Sequence, residues 1–284
     1  MLQAHKPIQD PLIVETLFKT LKEITAHDVD IDTWDAKIHC NEFYNWIQNQ
    51  DTVSILGLDE FSNRALCAGT SAAIENFIAR NHQRRLRFSQ TEFVLSKIVC
   101  RNLDIPFEYL EDSELQSGDA LVLSLPFSGN GSTYPNTDQI LTKCTELGIP
   151  VLIDAAYIGI ANFITIDLRH KCITDFTTSL SKPFHTMLRH GIRFTRNYYD
   201  DNIQSSSDMG IVPRINVVIA NRLMQIFDKD YIIKMYADKN SKVCRELGLV
   251  PTNTITLALG NHKQHAKFIR GNYVRVCITD ELMS

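Results

Sequence analysis

The chain has 284 residues, 44% of them hydrophobic, enough to bury a full core in one large domain or in a large domain with a small appendage. Its 29 Lys and Arg against 33 Asp and Glu give a net charge of -4, so no global basic field draws it to nucleic acid or anionic lipid. Any anion it binds must be held by a local site.

Seven cysteines (Cys40, Cys67, Cys100, Cys144, Cys172, Cys244, Cys277) are odd in number and widely spaced, and they form no cluster at metal-ligand spacing. They read as reduced thiols, with no metal site. The N-terminus MLQAHKPIQD lacks the basic, apolar and small-residue succession of a signal peptide, and no run of roughly 18 apolar residues occurs. A cytoplasmic protein that neither crosses nor enters a membrane is the expectation.

In chain order, residues 12–24 place Ile13, Leu17, Leu21 and Ile24 at helical spacing, which predicts an amphipathic helix. Phe43, Tyr44 and Trp46 read as aromatic packing of the N-terminal region rather than a site entrance. From about residue 52 to 196, short apolar runs alternate with helical segments, the pattern of a mainly parallel sheet covered by helices. The expected strands are 64–67, 85–88, 120–125, 150–153, 173–177 and 192–195, with helices at 72–81 and 137–147. A long helical stretch runs from Arg214 to Leu247 and stops at Gly248, a residue suited to a helix C-cap. Two strands, 254–259 and 273–278, finish the chain. The domain reading is 51–214 as one large domain, with 1–50 and 215–284 forming a smaller α+β domain from both termini.

Ligands of open α/β sheets bind beyond the carboxyl ends of the strands, so the residues after each apolar run matter most. Gly69-Thr70-Ser71 joins one strand to a helix, whose free amides and dipole suit phosphate, although such a start is also an ordinary N-cap. Asp154 ends the run PVLI and is followed by Tyr157; a carboxylate there is costly unless it meets a cation or several donors. Ser179, Ser181 and Lys182 follow the next strand, and Arg189 precedes Gly191 and another. A lysine, two serines and an arginine at one sheet end make an anion site. His185 and His190 flank this segment without an identifiable partner and read as structural or exposed.

The order and spacing of Gly69-Thr70-Ser71, Pro126 to Gly131, Asp154-x-x-Tyr157, Ser179-Leu180-Ser181-Lys182 and Arg189-x-Gly191 resemble the fold-type I pyridoxal 5'-phosphate (PLP) enzymes of the aspartate aminotransferase superfamily. The resemblance covers about residues 60–196 and implies the seven-stranded large-domain sheet of that fold. It implies that Lys182 carries PLP covalently and moves protons, that Asp154 pairs with the pyridine nitrogen, and that Tyr157 hydrogen-bonds the phenolic oxygen. Gly69, Thr70, Ser71, Ser179 and Arg189 would surround the phosphate; Ser181 faces either the phosphate or the sheet. The aromatic that stacks on the ring corresponds to Phe93, or in strict register to Glu92, which cannot stack; Phe93 as a core residue is the competing reading. Ser128 stands where the family commonly has asparagine, and a serine would need water to reach the ring.

Arg275, in the last strand, matches the arginine that grips the substrate α-carboxylate, the alternative being an arginine on an edge strand. The implied activity is an aminotransferase that passes an amino group from an α-amino acid to a 2-oxo acid, in a homodimer. Other reactions of the same fold (decarboxylation, elimination, racemisation) and a shortened, non-catalytic binding or assembly protein are the alternatives.

Overall fold

The computed structural model describes residues 5–48 and 51–284; residues 1–4 of the N-terminal stretch and residues 49–50, at the expected domain boundary, lie outside the described residues. Helix α1 (Pro11–Glu23) starts where the Asp10 carboxylate accepts hydrogen bonds from the amides of Leu12 and Ile13, both at 3.0 Å, and where Pro11 needs no donor. The same carboxylate accepts from Tyr231 and Tyr236, which ties the helix start to the far end of the chain. Helix α2 (Ala36–Gln48) was not foreseen as a helix. It buries Cys40, Phe43, Trp46 and Ile47, and the Trp46 indole donates to the Phe227 carbonyl at 2.9 Å, so these aromatics pack the interior.

The next elements are β1 (Val53–Leu56), β2 (Asn63–Cys67), α3 (Thr70–Arg80), β3 (Arg85–Phe88), α4 (Leu95–Asn102), β4 (Phe107–Tyr109), β5 (Asp119–Ser124), α5 (Thr137–Leu147), β6 (Val151–Asp154), β7 (Ile164–Asp167), β8 (Ile173–Ser179) and β9 (Gly191–Thr195). The central sheet has seven strands in the order β2-β9-β8-β6-β5-β3-β4. Six run the same way and β9 alone is antiparallel to its neighbours. All six residues of β5 and all four of β6 are buried, as expected for parallel strands covered on both faces. β1 and β7 pair with each other outside this sheet.

Helices α6 (Asn202–Asp208), α7 (Arg214–Ile226) and α8 (Tyr231–Leu247) follow, then β10 (Val250–Pro251), β11 (Leu257–Leu259), β12 (Ile269–Arg270), β13 (Tyr273–Cys277) and α9 (Thr279–Met283). The expected single helical stretch from Arg214 to Leu247 is two helices. The break holds buried Phe227, Lys229 and Asp230; Asp230 accepts from the Asp51 amide and the Thr52 hydroxyl, so the chain leaves the helix to make tertiary contacts. No proline or glycine marks it. Gly248 does end α8 in the left-handed region, at φ 64°. The expected strand 254–259 shortens to β11, and β13 lies between β11 and β12 in a four-stranded sheet.

Candidate active site

The central sheet brings its carboxyl ends to one edge. β2 leads into Gly69, whose φ of 80° suits glycine, and then into α3, which has no side-chain cap. Because β9 runs against its neighbours, its first residue and the preceding Arg189 reach this same edge. Gly191 pairs with Cys67 on one side and Ser179 on the other. A Cβ on Gly191 would lie 2.7 Å from the Thr178 carbonyl oxygen and 2.9 Å from the Gly69 Cα, so only glycine lets the two turns meet. The result is one wall holding Gly69, Thr70, Ser71, Ser179 and the exposed Arg189, whose Nη2 donates to the Ala68 carbonyl at 3.1 Å. A helix N-terminus, hydroxyls and a guanidinium on one wall suit an anion. Ser181 also borders the cavity, but its hydroxyl donates to the Leu188 carbonyl at 3.2 Å.

Asp154, the last residue of β6, borders the same cavity and is 4% exposed. Its Oδ1 accepts the Ala156 amide at 3.0 Å. Burial, and then the nearby charge of Glu92, push its carboxyl up to about 7. Lys182 stands on the same cavity, with Nζ 3.1 Å from His5 Nδ1 and 5.5 Å from the centre of the Tyr157 ring. Burial holds its amine below the usual lysine range, opposed by the charge of Asp154. Tyr157 is buried, which raises its phenol.

Phe93 borders the cavity and is 41% exposed, so the core reading for it is wrong. Its position beside Val94 at the start of α4 leaves it outside the packed layer. Glu92 instead turns inward and is 5% exposed. Ser128 borders the cavity too; its amide donates to Ser124 Oγ at 2.8 Å and its carbonyl accepts from Arg275 Nη1. Arg275 is not in the cavity wall. It is buried on an interior strand, which overturns the edge-strand reading, and its charge acts on His5 and Tyr157.

Sequence reasoning missed His5, Ser124, Thr186 and Arg270. Ser124 and Thr186 border the cavity. His5 is held between Lys182 and the Thr256 hydroxyl, which is 2.6 Å from its Nε2, and burial pushes its imidazole well below the usual range. No periodic signal joins residue 5 to residue 182. Arg270 donates through Nη2 to the Glu92 carbonyl at 2.9 Å. His190 is buried against Phe43, which brings its imidazole down to about 3, while His185 caps the Met187 amide; neither enters the cavity.

Many solved structures share this architecture. The chain has the fold of the fold-type I PLP-dependent enzymes. Tyrosine aminotransferase from Leishmania infantum superposes with a TM-score of 0.65 at 12% identity, over 97% of this chain and 88% of that one. L-threonine-O-3-phosphate decarboxylase from Porphyromonas gingivalis gives 0.66 at 14% identity, over 98% and 95%. Cystalysin from Treponema denticola, whose structure contains PLP, gives 0.66 at 12% identity, over 98% and 88%. No family model matches the sequence, and no curated protein matches it either. The PLP-type fold therefore rests on shape, and the neighbours that share it perform different reactions. Among the described residues no helix is long and apolar enough to cross a membrane, and no three or more His, Cys, Asp or Glu side chains are grouped so as to hold a metal ion.

Proposed function

We propose that this chain is a PLP-dependent aminotransferase of α-amino acids, with Lys182 holding the cofactor. The observation that carries the reading is the buried Asp154 carboxylate, which borders the same cavity as Lys182 and is paired with no cation among the described residues. A buried acid without a partner is costly, and a protonated ring nitrogen supplies what Asp154 lacks. The residues fit the rest of the group: Lys182 for its aldehyde carbon, the Gly69-Thr70-Ser71 turn with Ser179 and Arg189 for its phosphate, and Tyr157 for its phenolic oxygen.

Bound PLP supplies an electron sink for the bonds at a substrate α-carbon. The chain supplies the rest. Lys182 Nζ, which burial keeps closer to neutral, would accept the substrate α-proton and return it to the carbon on the other side of the imine nitrogen. The Asp154 carboxylate holds a proton at the ring nitrogen. Arg275 does not line the cavity itself but is bonded to the carbonyl of the wall residue Ser128 and has no carboxylate partner among the described residues, so its remaining donors would be available to a substrate α-carboxylate that reaches past Ser128. A retained carboxylate favours transamination over decarboxylation, which would release it. The protein is a homodimer in this reading, located in the cytoplasm, with residues 51–214 as the cofactor-binding domain and 1–50 plus 215–284 as the smaller one.

Borohydride reduction of the PLP-treated protein followed by peptide mapping tests the assignment. The pyridoxyl mass is expected on Lys182; its appearance on another lysine, or on none, rejects the reading.

A further inference from the structure

A second acid lies just outside the pocket, fastened to one of its wall residues. The Glu92 side chain accepts from the Ser124 amide at 2.9 Å, the Ser124 hydroxyl at 2.5 Å and the Phe93 amide at 2.8 Å. Ser124 is the register partner of Asp154 across the parallel pair β5–β6, so Glu92 is fastened to the residue beside Asp154, about one strand spacing away. The Ser124 hydroxyl also receives the Ser128 amide. Glu92 thus heads a chain of hydrogen bonds that ends in the cavity wall without itself bordering that cavity.

We propose that Glu92 is a positioning residue that works through Asp154: the two carboxyls form a coupled pair that holds one proton between them, and Glu92 sets the pH at which Asp154 becomes an anion. The inference rests on the PLP reading only for its catalytic consequence.

Two buried acids a strand apart cannot both ionise cheaply. The groups facing them do not cancel the charge. Glu92 meets Ser124 and the Phe93 amide, and the Arg270 guanidinium bonds the Glu92 backbone carbonyl, its charge offsetting the burial of the Glu92 carboxyl only in part. Asp154 meets the Ala156 amide, the Thr70 side chain and, at longer range, Lys182 and the Tyr157 phenol. Burial raises both carboxyls, and the charge of Glu92 is the second cause of the rise at Asp154. An aromatic in place of Glu92 would leave Asp154 ionised at lower pH. Glutamate here moves the acid limit of the site toward neutrality.

The test uses the protein without cofactor, followed by carboxyl carbon NMR of labelled aspartate and glutamate, with Asp154 assigned from Asp154→Asn. In wild type Asp154 should titrate near neutrality, and in Glu92→Gln its midpoint should fall by about one pH unit or more. Coupling is reciprocal, so Asp154→Asn should lower the midpoint of Glu92 as well, which keeps the proposal testable should Glu92→Gln fail to fold. Glu92→Asp should restore part of the shift. In the PLP-loaded protein the acid limb of the rate profile should move with Asp154 in Glu92→Gln while the basic limb stays in place. An unmoved titration of the partner acid in either variant overturns the pair. A shift in the free protein with no PLP uptake leaves the pair standing and removes the cofactor reading instead.

Discussion

The edges of the central sheet and the cavity both gather charge, and they do so in opposite ways. At one edge of the central sheet Arg87 is fully buried and its guanidinium donates to four backbone carbonyls and to the Asp119 carboxylate at 2.9 Å. At the other, Arg193 pairs with Asp201 at 2.6 Å and with Asn76 at 2.9 Å, while Arg80 pairs with the buried Asp175. Around the cavity, Asp154, Lys182, Arg189 and Arg275 lie close together with none in an ion pair among the described residues. Saturated charges hold a fold together. Charges left wanting a partner mark the place where a ligand completes the structure.

The contrast can be broken most severely at the saturated edge. Asp119→Ala would leave Arg85 and Arg87 without their shared carboxylate and should cost about 3 to 5 kcal/mol of stability, read by urea unfolding. A loss under about 1 kcal/mol would show that the backbone carbonyls alone satisfy Arg87.

Arg275→Ala should leave stability closer to wild type but lower kcat/KM for α-amino acids by about 30-fold to several thousand-fold, the range for truncating one partner of a desolvated charge pair. Amines lacking the carboxylate should be spared. Equal loss on both substrate classes would remove Arg275 from substrate binding.

The sign of the effect should reverse at Asp154. Its folded value of about 7 lies above the unfolded value of about 3.9. The folded cofactor-free protein therefore holds this proton more tightly than the unfolded chain does. The stability so contributed is full below about pH 4 and is lost as pH rises through about 7, with a slope of at most about 1.4 kcal/mol per unit. Asp154→Asn should flatten that slope and stabilise the cofactor-free protein above pH 7, the opposite of the Asp119 result. Unchanged pH dependence in the variant would mean that Asp154 already has a partner.

The smallest difference is expected at the surface. The Lys6–Asp280 pair is mostly exposed, and Lys6→Ala should move the unfolding midpoint too little to resolve, since solvent screens such pairs. A clear loss would mean that the N-terminal segment is held by charge rather than by its backbone bonds to Cys277 and Thr279.

How much was legible follows from what each signal encodes. The strands ending at Cys67, Phe88, Ser124, Asp154 and Ser179 were readable to within a residue or two; for β5 and β6 the reason is that parallel strands buried on both faces need near-continuous apolar runs. Once those runs are ordered, the residues after them must share the carboxyl edge, which is why Gly69, Thr70, Ser71, Asp154, Ser179 and Lys182 group together from the sequence alone. Short elements with mixed patterns were not readable: β1 and β7 carry four residues each, and α2 mixes buried aromatics with polar faces. The break between α7 and α8 escaped because buried side chains, not a helix-breaking residue, cause it.

The sequence by itself determined the α/β alternation and the segments that meet at the sheet edge. These depend on local periodicity and on conformations that single residue types favour. Only the tertiary structure decided that Glu92 rather than Phe93 turns inward, that His5 lies 3.1 Å from Lys182, and that Arg275 is buried on an interior strand with its guanidinium on the Ser128 carbonyl. Those facts are contacts between segments far apart in the chain, fixed by how the layers pack, and no spacing along the chain encodes the distance between two charges.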